Sequence, residues 1–433
     1  MAIAIWRAGS TPGWFVPVRP MLGNISPNAR LNAAKGSSGG SSGLMRALYG
    51  RGFHGVPRSN WHIDGRSRAA AGARGGTVSR VVVTGSTGAV GRETCVGLAA
   101  AGYEVIGLDR RSSIPPAPGI ELRTVDLAVT DLRAQLADVD VVVHMAAGVT
   151  AGDSGVDVGR DRLAVFERLL AAASDSGVTH LVVRSSAMVY GAWSDNPVPL
   201  TEDAPVRPCP DFAFAVHRAR MEELATAWVV ESDERSLTLL RNAVTVAEER
   251  PGGLATVVGA AASIRSDEGD PLGQFLHSDD LAGAAVCAVK TRYDGPLNVA
   301  PDGWIGAEVM AELGGPGPRL RLPGPLAALT ARVLWHTGLS PAPPGVFPYS
   351  VYPWVVANDR LRGLGWEPTH SNEEAYVAGH EPGLLDRMDA RARQQVSLVV
   401  AGLLALGLGW LLVRLVSRPR RSGRGTYDAA DGQ

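Results

Sequence analysis

Three groups of residues in this chain are of the types that do chemistry. The first is Thr84-Gly85-Ser86-Thr87-Gly88-Ala89-Val90-Gly91, with a glycine at every third position. It follows an apolar stretch, Val81 to Val83, and precedes a periodic helix that runs to Ala101. In that setting Gly85 allows a tight turn, and Gly88 lets the backbone approach a pyrophosphate. Gly91 permits close helix–strand packing, and the helix N-terminus supplies N–H donors. Thr84, Thr87, Ala89 and Val90 complete the candidate cofactor loop. Asp109 ends the next apolar strand, Glu104 to Leu108. Its carboxylate can accept hydrogen bonds from both ribose hydroxyls of an adenosine, which favours NAD; Arg110 and Arg111 beside it could pair with a 2′-phosphate, the NADP alternative. Asp126, after a third strand, is a candidate adenine contact. Ala146 and Ala147, in DVDVVVHMAAG, are small and leave space over a cofactor.

The second group is Ser185, Ser186 and Tyr190, in RSSAMVYG. Their hydroxyls can hydrogen-bond a substrate oxygen or exchange a proton with it; packing and hydrogen bonding at a strand end is the structural alternative. The third lies in DFAFAVHRARMEELATAW, Asp211 to Trp228, which reads as a helix. Phe214 and Arg218 are four apart and share a face. His217 titrates near neutrality but sits on a neighbouring face. Asp279 and Asp280 stand at a helix start, where a carboxylate satisfies free N–H groups.

These groups must be positioned by alternating strands and helices. Near-continuous apolar strands, Val81–Val83, Glu104–Leu108, Asp138–Gly148 and Thr179–Gly191, alternate with periodic helices. That pattern predicts an α/β fold, a Rossmann-type doubly wound parallel sheet. The 433 residues have room for one large domain or two, and a net charge of −1 gives no general case for nucleic-acid binding. Cys95, Cys209 and Cys287 are far apart, with neither metal spacing nor a disulfide framework.

Charge is uneven along the chain. Residues 1–77 hold one acid, Asp64, against ten basic residues, and include GSSGGSSG. This extension is expected to be disordered, a transit segment, or upstream of a translation start at Val78. Near the other end, Val396 to Val413 carries no charge and lies between Arg-rich flanks. About 18–20 apolar residues suffice to cross a bilayer, so a membrane helix is expected over 396–416, with the nucleotide-binding part cytoplasmic.

Together these motifs resemble the extended short-chain dehydrogenase/reductases, the NAD-dependent epimerase/dehydratases, and look most like an actinobacterial branch of them. The resemblance rests on the loop Thr84–Gly91, Asp109, HMAA at 144–147 and SSAMVYG at 185–191. It continues with Arg241 in LLRNAVTV, FLHSDDL at 275–281, GPLNVAPDG and LGWEP near 368. It implies an NAD cofactor, a nucleotide-sugar-like substrate, a small C-terminal lobe over that substrate, and a dimer through two long helices. It also implies a catalytic Tyr-x-x-x-Lys on the helix after the Val-Tyr-Gly loop. Here Phe214 occupies the Tyr position and Arg218 the Lys position, while Glu222 stands four residues beyond. Phe cannot exchange a proton. Arg218 keeps the charge that holds the cofactor ribose. Ser186 is the implied partner of the substrate oxygen, and Tyr190 is a candidate substitute proton donor.

The expected organisation is therefore an extension (1–77), a nucleotide-binding domain (78–241) and a substrate-covering lobe interleaved with the last sheet elements (242–380). A linker (381–395), a membrane helix (396–416) and a tail (417–433) follow. The alternative to an enzyme is a catalytically silent, membrane-anchored module that senses NAD(P) or scaffolds a partner.

Overall fold

The computed structural model describes residues 79–111, 118–146, 156–247, 253–270, 272–313 and 320–379. The extension 1–77, Ala147, the linker, the expected membrane run and the tail lie outside the described residues. Among the described residues, no helix is long and apolar enough to cross a membrane.

Seven strands form one sheet. They are β1 (Arg80–Thr84), β2 (Glu104–Asp109), β3 (Ile120–Thr124), β4 (Val141–His144), β5 (His180–Arg184), β6 (Ser236–Asn242) and β7 (Gly295–Val299). The order across the sheet is β7-β6-β5-β4-β1-β2-β3, and every pairing is parallel. The valine runs explain why these segments are strands at the centre. Side chains alternate between faces, so a strand covered on both sides must be apolar at every position. Val81 and Val83 enter one core layer and Val82 the other. Strand β3 is the edge, and its exposed Glu121 and half-buried Arg123 suit an edge that must not pair further.

Four helices cover the two faces. Helices α1 (Ala89–Ala100) and α4 (Ser278–Thr291) lie against one face, burying Cys95, Leu98, Leu281 and Ala285. Helices α2 (Val156–Asp175) and α3 (Ala213–Val230) lie against the other, burying Phe166, Leu169, Met221 and Trp228. The order reverses between β1 and β4, and there the carboxyl ends of the strands open a crevice.

Beyond β6 the chain makes short strand pairs. Val244–Val246 pairs with Phe275–His277, Ile264–Ser266 with Leu320–Leu322, and Leu272–Gly273 with Ile305–Gly306. Ile264, Ala327, Ala331, Phe347 and Val351 form a separate small core there. Asp280 differs from expectation: it does not cap α4. The His277 side chain accepts the Asp279 N–H, and Asp280 accepts from Thr369 N (2.8 Å) and His370 N (3.1 Å). The carboxylate thus ties the LGWEP segment to the sheet. Trp354 is core, with its indole N–H donating to Tyr349 O, whereas Trp304 is exposed.

Candidate active site

The glycine loop is shaped by close approach. Gly85 has φ +75°, and a Cβ on it would lie 2.7 Å from Ala146 Cα. A Cβ on Gly91 would lie 2.1 Å from Gly85 O. Neither position tolerates a side chain without moving the loop. Helix α1 starts at Ala89 with Gly88 as its N-cap and no side-chain cap, so its first N–H groups face the crevice without a protein acceptor from that cap. Ser86 Oγ and Thr87 Oγ1 are buried with no hydrogen-bond partner. Orphaned hydroxyls beside an uncapped helix N-terminus fit a phosphate ligand. Val90 is buried in the core and positions the helix. Thr84 points away from the loop: its Oγ1 lies 2.8 Å from His144 Nδ1.

Asp109 accepts from Thr87 N (3.2 Å) through Oδ2 and from Arg111 N (3.1 Å) through Oδ1. Each carboxylate oxygen retains a second lone pair for a ribose hydroxyl. Arg110 is exposed beside it. Asp126 Oδ1 accepts from Ala128 N (2.9 Å), so the carboxylate closes the turn after β3.

Burial pushes two imidazoles down to about 3: His144 under the loop, and His180 in β5. Both are neutral in the folded chain and titrate near 6.5 when unfolded. Their contribution is therefore fully present above pH ~6.5 and is lost as pH falls toward ~3. These two imidazoles alone should lower stability by up to about 2.7 kcal/mol per pH unit in that window, two protons' worth. Denaturant melts between pH 7 and 4 would show this, and His144→Gln should take up to about 1.4 kcal/mol per pH unit off the slope. An unchanged slope in that variant would mean that His144 does not titrate between the folded and unfolded states.

Helix α3 brings Phe214, Arg218 and Glu222 to one face, all buried. The Arg218 guanidinium stands 5.3 Å from the Phe214 ring centroid, and the ring packs 5.7 Å from Phe212. Arg218 Nη1 donates to Arg184 O (2.8 Å) at the end of β5. His217 is also buried, and burial followed by the Arg218 charge lowers it to about 4, so it is neutral at pH 7. Ser186 Oγ accepts from Met188 N (3.3 Å), capping the short turn Ala187–Tyr190.

The remaining hydroxyls belong to a closed buried network. Ser185 Oγ donates to Glu222 Oε1 (2.5 Å), and Glu222 takes a bidentate grip from Arg241, with Nη2–Oε2 at 2.7 Å. Arg241 Nη1 donates to the Tyr190 hydroxyl (2.9 Å), which donates in turn to Asn298 Oδ1 (2.8 Å). Glu202 Oε1 accepts from Asn298 N (2.9 Å). Tyr190 is 1% exposed, and burial pushes its hydroxyl up to about 12. Its single proton is committed to Asn298. In this geometry Tyr190 is a strut between β5 and β7, which fits the packed alternative rather than the substitute proton donor. Sequence reasoning missed Glu202, Asn298 and Arg184. For Asn298 the usable signal was its place opposite Arg241 in the β6–β7 register, which no local pattern reveals.

The crevice thus joins a phosphate-shaped loop, an acidic residue at the end of β2, and a cationic helix face, with a phenylalanine, which has no proton to exchange, at position 214. The pattern of the NAD-dependent epimerase/dehydratase family matches residues 81–300. A Streptomyces protein named 3-diazoavenalumate denitrifying reductase is 32% identical over 317 residues, 67% of this chain and 96% of that one. The UDP-glucose 4-epimerase of Azospirillum brasilense is 34% identical over 138 residues, 30% of this chain and 39% of that one. Among solved structures, MoeE5 in complex with UDP-glucuronic acid and NAD superposes with a TM-score of 0.53 at 23% identity, covering 69% of this chain and 97% of that one. At that identity the likeness concerns the fold. On the family match, and on the Streptomyces relative, the chain belongs to the NAD-dependent epimerase/dehydratase family.

Proposed function

We infer that the chain binds NAD in the crevice between β1 and β4 and serves as an oxidoreductase on a nucleotide-sugar-like substrate, with a catalytic pair that has lost its acid. The observation that carries the reading is the loop itself: two orphaned hydroxyls, glycines that only Gly can fill, and an uncapped helix N-terminus. Thr87, Gly88 and Ala89 would meet the pyrophosphate. Asp109 would take the adenosine ribose in preference to a 2′-phosphate, and Arg218 would hold the other ribose. Bound NAD supplies a hydride acceptor, and NADH a donor.

The residues of this chain supply binding and orientation, but Phe214 supplies no proton. Oxidising a hydroxyl or reducing a carbonyl must then use solvent, at a cost of about 10²–10⁴ in rate. A reduction in which hydride arrives as a leaving group such as N2 departs needs no acid, and the Streptomyces relative is named for a denitrifying reduction.

A second reading, a silent sensor or scaffold, is favoured by the same Phe214 and by the committed Tyr190 hydroxyl. The apolar run Val396–Val413 supports membrane attachment on sequence alone, with the nucleotide-binding part cytoplasmic. Pairing of two copies through two long helices rests on the family resemblance. Fluorescence titration with NADH and NADPH tests the cofactor assignment: NADH is expected to bind about tenfold more tightly. Preference for NADPH would move the ribose contact to Arg110.

A further inference from the structure

One helix of the lobe carries its large apolar side chains on the wrong side for water. Helix α5 (Gly324–His336) packs on the small core through Ala327 and Ala331, with Ala328 and Leu334 beside them. Leu326, Leu329 and Val333 face away from that core and are 47%, 55% and 50% exposed. Spacings of three and four put these three on one face. Leu339, just past the helix, is 76% exposed. A surface helix ordinarily turns its large apolar residues to the core and its polar ones to water. Isolated exposed leucines are common, but a continuous stripe on one face marks a contact surface.

Charge beside the stripe selects its partner. Exposed Arg332 and His336 stand on the C-terminal half of α5, and the chain holds no acid between Glu312 and Asp359. The acids that approach from another segment gather at the other end, around the helix N-terminus. Asp267 accepts from Gly324 N (2.9 Å), Asp270 from Arg321 Nη2 (2.6 Å) and Glu268 from the Tyr352 hydroxyl (2.8 Å). An apolar stripe edged by basic residues is the pattern of a helix lying in the headgroup region of a bilayer. The chain also brings a bilayer within reach. Only 16 residues, 380–395, separate the last described residue from the apolar run Val396–Val413, and a chain of that length spans at most about 55 Å.

We propose that the face of α5 carrying Leu326, Leu329 and Val333 seats the lobe on an anionic bilayer surface. This rests on the membrane attachment read above from the run Val396–Val413. The seat is coupled to the crevice through the segment Pro344–Ser350. Phe347 shares the small core with α5, and the Tyr349 hydroxyl donates to Met188 O (2.7 Å). A Cβ on Gly345 would lie 2.0 Å from Asp211 O, just before α3. Docking of α5 thus holds the crevice at a fixed height above the lipid.

The test uses the full chain reconstituted in vesicles of phosphatidylcholine and phosphatidylglycerol. A nitrobenzoxadiazole label is placed at Leu329→Cys and, for comparison, at Val129→Cys, which is exposed in the turn after β3. The wild-type chain, with Cys95 and Cys209 buried and Cys287 half-buried, gives the labelling background. With nitroxide-bearing lipid present, the label at 329 should lose about half of its emission, since such a helix sits ~5–10 Å into the headgroup boundary, while the label at 129 keeps its own. Adding Leu326→Glu and Val333→Glu should abolish that loss while the chain still floats with the vesicles. Quenching at 329 no greater than at 129, in a chain that floats, overturns the proposal and leaves membrane attachment standing. A chain that does not float removes the attachment reading and the proposal with it. Light scattering of the detergent-solubilised chain at twice its mass, halved by Leu329→Glu, assigns the face to a second copy and also overturns the proposal.

Discussion

The double substitution Phe214→Tyr, Arg218→Lys is expected to raise the rate of hydride transfer at a hydroxyl or carbonyl carbon by about 10²–10⁴. The family resemblance gives Phe214 the place of a tyrosine, and its ring lies one helical turn from a buried cation and beside its guanidinium. A tyrosine there gains a proton to exchange, and the neighbouring positive charge favours its ionised form. Lysine at 218 keeps the positive charge as a compact ammonium. The rate is read as absorbance of NADH, with UDP-glucose and UDP-glucuronic acid offered in turn. Phe214→Tyr alone should recover part of the gain, since Arg218 retains the charge. No gain over the wild type with either compound would mean that this crevice no longer handles hydroxyl or carbonyl substrates of that class.

The second large effect is on stability. Arg241→Met should cost about 3–5 kcal/mol, because it leaves the Glu222 carboxylate buried without its cation. It also strips a donor from Tyr190 and loosens the link between β5, β6 and β7. The paired change Arg241→Met, Glu222→Met should recover most of the loss, since a buried ion pair replaced by apolar side chains of similar volume is often close to neutral. Urea unfolding of the three proteins decides it. A single variant within about 1 kcal/mol of the wild type would show that the pair is solvated and that the network is not a structural clamp.

The central sheet was legible because burial on both faces leaves a one-dimensional mark. The runs at Val81–Val83 and Val141–Val143 are apolar at every position, and only a strand covered on both sides requires that. The glycine loop was legible because its constraint is local: Gly85 and Gly91 approach each other's backbone within seven residues. The Phe214–Arg218 face was legible from helical periodicity.

What escaped is long-range. Tyr190 and Asn298 are 108 residues apart, and Arg241 reaches Glu222 from another element. A Tyr at a strand end reads equally as an acid or a strut until its partners are known.

A crevice that has lost only its acid must still bind the cofactor. Calorimetric titration of NADH into the wild-type chain and into Gly91→Ala tests this most directly. A methyl at 91 would press on Gly85 O at 2.1 Å and displace the loop. Saturable one-to-one binding to the wild type is expected, with a loss of about 100-fold or more in the variant. Failure of the wild type to bind NADH, or equal binding by both proteins, would overturn the cofactor assignment.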